Sequence, residues 1–156
     1  MAFLPDTHQP SQAEIQALIK LLNAGQREKG EAVARRLVKN FPNGHMGHFL
    51  LAVALTGQRK WAPAIHSYRN ALALKPDDID TLNNMGVVFR QAGKLGEAAD
   101  CYLKAQRLQP TNPDILYNLA GLFEAQGKTD DAINMYLRVV ALMPRHIDAL
   151  NNLAVI

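Results

Sequence analysis

The sequence predicts an all-α chain, an α-solenoid built of antiparallel helix pairs. Three observations carry that prediction. Pro42, Pro76, Pro110 and Pro144 stand 34 residues apart. Twelve residues before each proline comes a small residue (Gly30, Ala64, Ala98, Ala132), and eight before come Ala34, Tyr68, Tyr102 and Tyr136. Twenty-one before come Leu21, Leu55, Phe89 and Phe123. A fixed period of this length means stacked copies of one supersecondary unit, each burying its apolar face against its neighbours.

Residues 1–10 form an N-terminal extension, and Met1–Asp6 has neither the basic flank nor the long apolar run of a secretory leader. The first repeat, 11–44, is degenerate, with Glu14, Gly30 and Ala34 where later repeats place other residue types. Terminal repeats are often atypical because they cap the stack. The second, 45–78, carries His48 in the column of Leu82 and Leu116, and its Gly57 comes two residues ahead of the position of Gly93 and Gly127.

The third repeat, 79–112, reads most plainly. Asp77 and Asp78 offer N-cap oxygens, and Leu82, Met85, Gly86 and Phe89 then fall at i, i+3, i+4 and i+7 of a helix over 79–91. Gly93 ends that helix in a left-handed cap. A second helix over 95–108 turns Ala98, Tyr102 and Ala105 inward, and Pro110 lies just past its end.

The fourth repeat, 113–146, has Asn112 as cap and Pro113 in the first turn. Leu116, Leu119, Ala120 and Phe123 line its first helix, Gly127 ends it, and Ala132, Tyr136 and Val139 line the second. Ala52, Gly86 and Ala120 are expected to face Ala64, Ala98 and Ala132 so that paired helices approach closely. Residues 147–156 are the first helix of a partial fifth repeat, with Leu150, Leu153 and Ala154 in the packing columns. Its uncovered stripe is expected to mean a longer protein or self-association.

Composition excludes several function classes. Hydrophobic residues at 48% and charged residues at 20% suit helix packing beneath a solvated surface. Nucleic acid is not an expected partner: the net charge is +3, but bases are interleaved with acids and the aromatics, at 6%, sit mostly in the repeat columns. Residues 11–44 hold six bases against three acids, and 113–146 three against four, which reads as solvated outer helix faces. The single Cys101 excludes an intrachain disulfide and, with no base beside it in sequence, reads as a packed thiol. No apolar run reaches the length of a membrane span, so no membrane contact and a cytoplasmic location are expected. There is no Gly-rich phosphate loop, G-x-S-x-G or HExxH, and the chain is expected to be non-catalytic and without cofactor. His45 and His48 lack a companion Cys, Asp or Glu in sequence and are expected to be structural, with no metal.

Leu82-x2-Met85-Gly86-x2-Phe89, followed by Ala98-x3-Tyr102 and Pro110, resembles the tetratricopeptide repeat (TPR). So does Leu116-x2-Leu119-Ala120-x2-Phe123 with Ala132-x3-Tyr136 and Pro144. The resemblance runs from Ser11 to Ile156 and implies a right-handed TPR superhelix. In that family the first helices line a concave groove for a protein or peptide partner.

By helical phase the free side of the first helices carries Ile15, Gln16, Ile19, Leu22 and Asn23, then Met46, Phe49, Leu50, Val53 and Thr56. It continues with Asp80, Asn83, Asn84, Val87, Arg90 and Gln91, and with Asp114, Tyr117, Asn118, Gly121 and Glu124. Asp148, Asn151, Asn152 and Val155 complete it. Ile15, Ile19, Leu22, Phe49, Leu50 and Val53 make an apolar half that needs a cover. Either Phe3 and Leu4 or a second copy in a homo-oligomer is expected to supply it.

The other half is polar, with Asn84, Asn118 and Asn152 in one column 34 residues apart. An amide donates and accepts, so such a ladder suits the backbone of an extended peptide. It resembles the asparagine ladder of the O-linked N-acetylglucosamine transferases. That resemblance implies a peptide-binding module, standing alone or as the substrate-presenting arm of a larger enzyme. The family's carboxylate clamp for acidic chaperone tails is not expected, since Asp80, Asp114 and Asp148 share a groove column and Arg90 is its single base.

Overall fold

The computed structural model describes residues 9–156, and among them stand nine helices and no strand. In chain order they are α1 (Gln12–Asn23), α2 (Arg27–Asn40), α3 (His45–Gly57), α4 (Trp61–Leu74) and α5 (Ile79–Gln91). Then come α6 (Leu95–Leu108), α7 (Pro113–Ala125), α8 (Thr129–Leu142) and α9 (Ile147–Val155). The chain divides into two compact units, Met1–Thr81 and Leu82–Ile156. Phe3 and Leu4, expected over the apolar groove half, lie outside the described residues.

In the first unit α1 opens on a capping box. The Glu14 backbone N–H donates to Ser11 Oγ at 3.3 Å, and the Glu14 carboxylate accepts from the Ser11 N–H at 2.9 Å. Glu14 breaks the apolar pattern because it starts a helix. Gly30 has a packing reason: Leu18 stands where later repeats have Ala52, Gly86 or Ala120, and a Cβ on Gly30 would collide with Leu22. Large and small residues have exchanged sides of the helix pair. His48 fills its core position as a satisfied ring, its Nε2–H donating to the Pro42 carbonyl at 2.9 Å.

The turns explain the displaced glycine. Gly25, Gly93 and Gly127 adopt φ of 70°, 75° and 72°, and in the second repeat the same column is Arg59 at φ 57°. Gly57 instead ends α3, where a Cβ would run into the Arg27 side chain of α2. Glu31 on α2 binds the Lys60 ammonium and the Gln58 amide, each at 2.8 Å, and Arg35 at 2.7 Å. Those partners, Lys60 foremost, hold its carboxyl down to about 2 against the opposing effect of burial.

Asp78 is the cap that starts α5, accepting from the Thr81 N–H at 3.1 Å and the Thr81 hydroxyl at 2.6 Å. Burial pushes the Asp78 carboxyl up, but Lys75 and Thr81 together bring it below its ordinary value.

In the second unit Tyr102 of α6 lies on Gly86 of α5, where a Cβ would sit 2.6 Å from the ring. Asn112 caps α7, its Oδ1 accepting from the Asp114 and Ile115 N–H groups at 3.0 and 3.3 Å, with Pro113 at the first turn. Leu116, Ala120, Ala132, Tyr136, Val139 and Ala149 form one buried cluster on α7, α8 and α9. His146 caps α9 through Nδ1, which accepts from the Ala149 N–H at 3.1 Å. The packing columns expected on α9 divide: Leu153 packs on the cluster, but Leu150 is 42% exposed and Ala154 is exposed. In α7 the same column is Leu116, fully buried because α8 covers it.

Candidate peptide-binding face

The apolar half belongs to the first unit. Ile15, Ile19, Leu22, Phe49 and Val53 are half-buried. Leu50 corrects the helical-phase reading: it is 4% exposed and part of the core. The cause is α3 itself, which buries Gly47, His48, Leu50, Leu51, Ala52, Ala54 and Leu55 and so packs on more than one side. Leu22 also turns inward, lying over Gly30 of α2. Phe49 is held between the His45 ring at 6.3 Å and the Tyr68 ring at 6.1 Å.

The polar half lies in the second unit, on α5, α7 and α9. Asn83, Asn84, Val87, Arg90, Tyr117, Asn118 and Asn152 are half-buried, and Gln91, Glu124 and Asn151 are exposed. The ladder amides brace one first helix against another element. Asn118 Nδ2 donates to Asn83 Oδ1 at 2.9 Å. Asn152 Nδ2 donates to the Tyr136 hydroxyl at 2.8 Å and to the Tyr117 hydroxyl at 3.4 Å. Each of these two amides keeps its carbonyl oxygen and a second N–H as further bonding capacity. Sequence reasoning missed this bracing, although Asn83 and Tyr117, one period apart, both bring an oxygen to the same column.

A second column recurs along the chain. Thr56, Arg90 and Glu124 each precede a second-helix tyrosine by twelve residues. Tyr136 donates its hydroxyl to the Glu124 carboxylate. Thr56 stands beside the Tyr68 hydroxyl, whose pKa burial pushes up to about 12. Tyr102 differs, because its buried hydroxyl has no hydrogen-bond partner among the described residues. Its Arg90 lies across Gly121 of α7, where a Cβ would run into the guanidinium. Tyr117 packs its ring 5.6 Å from Tyr136 and 5.0 Å from His146.

Comparison with family models places this arrangement. Models of the tetratricopeptide repeat match residues 18–79 and 115–145, and a TPR repeat model matches 86–127. The chain carries tetratricopeptide repeats, a class whose members are generally non-catalytic protein-interaction modules.

Solved structures agree on the fold. PilF of Pseudomonas aeruginosa is 24% identical with a TM-score of 0.84, over 91% of this chain and 65% of that one. This chain therefore spans about two thirds of the PilF chain. The TPR protein TTC0263 of Thermus thermophilus is 19% identical with a TM-score of 0.82, over 92% and 79% of the two chains. MamA is 16% identical with a TM-score of 0.77, over 86% and 79%. Comparison with curated proteins gives no match. No helix among the described residues is long and apolar enough to cross a membrane.

Proposed function

We propose that the face of α5, α7 and α9 binds an extended peptide segment of a partner protein without chemical change to it. One observation supports this most: the half-exposed amides of Asn83, Asn84, Asn118 and Asn152 on successive first helices of one compact unit. An extended backbone presents alternating N–H and C=O groups, and an amide can answer either. Because Asn118 and Asn152 are already braced, less side-chain entropy remains to be lost when a peptide arrives.

A peptide array probed with wild type beside the Asn84/Asn118/Asn152→Ala triple variant tests this reading. Wild type is expected to bind a subset of peptides and the variant to lose most of that binding. Equal binding by both contradicts it. Joined to a glycosyltransferase domain, the same ladder would act as a substrate-presenting arm, the finer form of this proposal that its asparagine column suggests.

Self-association is a second reading, favoured by the exposure of Leu150 and Ile147 on α9, at 42% and 69%. Light scattering over a concentration series tests it, and a monomer throughout contradicts it.

A further inference from the structure

The repeat sets up a comparison between two helix pairs of the same compact unit. In the fourth pair the column position before the tyrosine is Glu124, whose carboxylate accepts a hydrogen bond from the Tyr136 hydroxyl. In the third pair that position is Arg90, which can only donate. Tyr102 is 0% exposed, and its hydroxyl meets no acceptor among the described residues. A buried hydroxyl without a partner is a costly group that native proteins rarely leave unexplained.

The surroundings sharpen the point. Arg90 forms no ion pair with any carboxylate among the described residues, and its charge is close enough to act on the Tyr102 phenol. The guanidinium rests over Gly121, the position that is Ile19, Val53 and Val87 in the other repeats. Asn118, one period before Asn152, donates to Asn83 where Asn152 donates to the Tyr136 hydroxyl. A cation and a hydroxyl without an acceptor thus hold the two column positions that Glu124 and Tyr136 hold in the next pair.

We infer that Arg90 and Tyr102 form a subsite for one side-chain carboxylate of the bound peptide, an Asp or Glu that occupies the place Glu124 holds in the following pair. The inference rests on the peptide-binding reading above. One carboxylate oxygen accepts from the Tyr102 hydroxyl and the other pairs with the guanidinium, which lifts from Gly121 to admit it. Charge-assisted bonds of this kind are the strong ones. The subsite gives sequence preference to a ladder that by itself grips backbone.

The test uses an array of short peptides in matched pairs, each Asp or Glu member beside its Asn or Gln isostere. Wild type is expected to prefer the acidic member of its best pair by about tenfold. Arg90→Gln should erase that preference while still binding the amide member, and Tyr102→Phe should cut it several-fold while remaining fully helical. Wild-type binding without acid preference, or a preference that survives Arg90→Gln, overturns the subsite and leaves the peptide face standing. A stronger preference for phosphoserine members than for acidic ones also overturns it. Failure of the natively helical wild type to bind any peptide overturns both.

Discussion

Tyr136 and Glu124 join the two helices of the fourth pair, the α8 hydroxyl donating to the α7 carboxylate while Asn152 of α9 donates to that same hydroxyl at 2.8 Å. Removing the Tyr136 hydroxyl strands both partners. Tyr136→Phe is expected to cost about 1–2 kcal/mol, discounted because Glu124 is partly solvated. Tyr102→Phe removes an unpartnered hydroxyl instead and should be neutral or stabilising by up to about 1 kcal/mol. Denaturant unfolding of both variants checks the contrast, and equal losses would contradict it.

Arg59 holds the left-handed conformation that glycine takes in the other three turns. A side chain there costs about 1–2 kcal/mol, partly offset by the greater freedom of glycine in the unfolded chain. Arg59→Gly should therefore raise the unfolding midpoint, and Gly93→Arg should lower it. Thermal melts of the pair decide the matter.

Glu31 links α2 to the turn after α3, with its carboxyl held at about 2. A depressed carboxyl contributes stability above its unfolded value, near 4.3, and loses it as pH falls through the folded one. Lys60 is 47% exposed, so solvent screening reduces the contribution to about 1 kcal/mol. Wild type should lose stability between about pH 4.5 and 2 more steeply than Glu31→Gln does. Parallel acid titrations followed by circular dichroism measure this, and coincident curves would contradict it.

Ala98 is fully buried in the second unit. Ala98→Leu should overpack the contact and cost about 1–3 kcal/mol. An unchanged melting temperature would show that the small column is not needed for close approach.

Much of this was legible in the sequence where one residue controls one backbone feature. Gly93 and Gly127 marked left-handed turns, and Asn112 with Pro113 marked the start of α7. Arg59 was not legible, because a glycine two residues earlier drew attention from a conformation that a non-glycine residue adopts. Leu50 was misplaced because helical phase assumes one free face, which the nearly all-apolar α3 does not have. The face on α5, α7 and α9 could be named residue by residue, but the bonds from Asn118 to Asn83 and from Asn152 to Tyr136 depend on distances between helices. A one-dimensional period does not contain those distances.

The central claim is that the asparagine-bearing face of the second unit is where a peptide binds. Titration of the best array peptide into isotope-labelled protein, followed by nuclear magnetic resonance, tests it most directly. The account predicts that the side-chain amide signals of Asn84, Asn118 and Asn152 shift together with the Arg90 guanidinium. Shifts confined to the outer faces of α6 and α8 around the exposed Leu103 and Leu137, with the ladder amides unmoved, would contradict it.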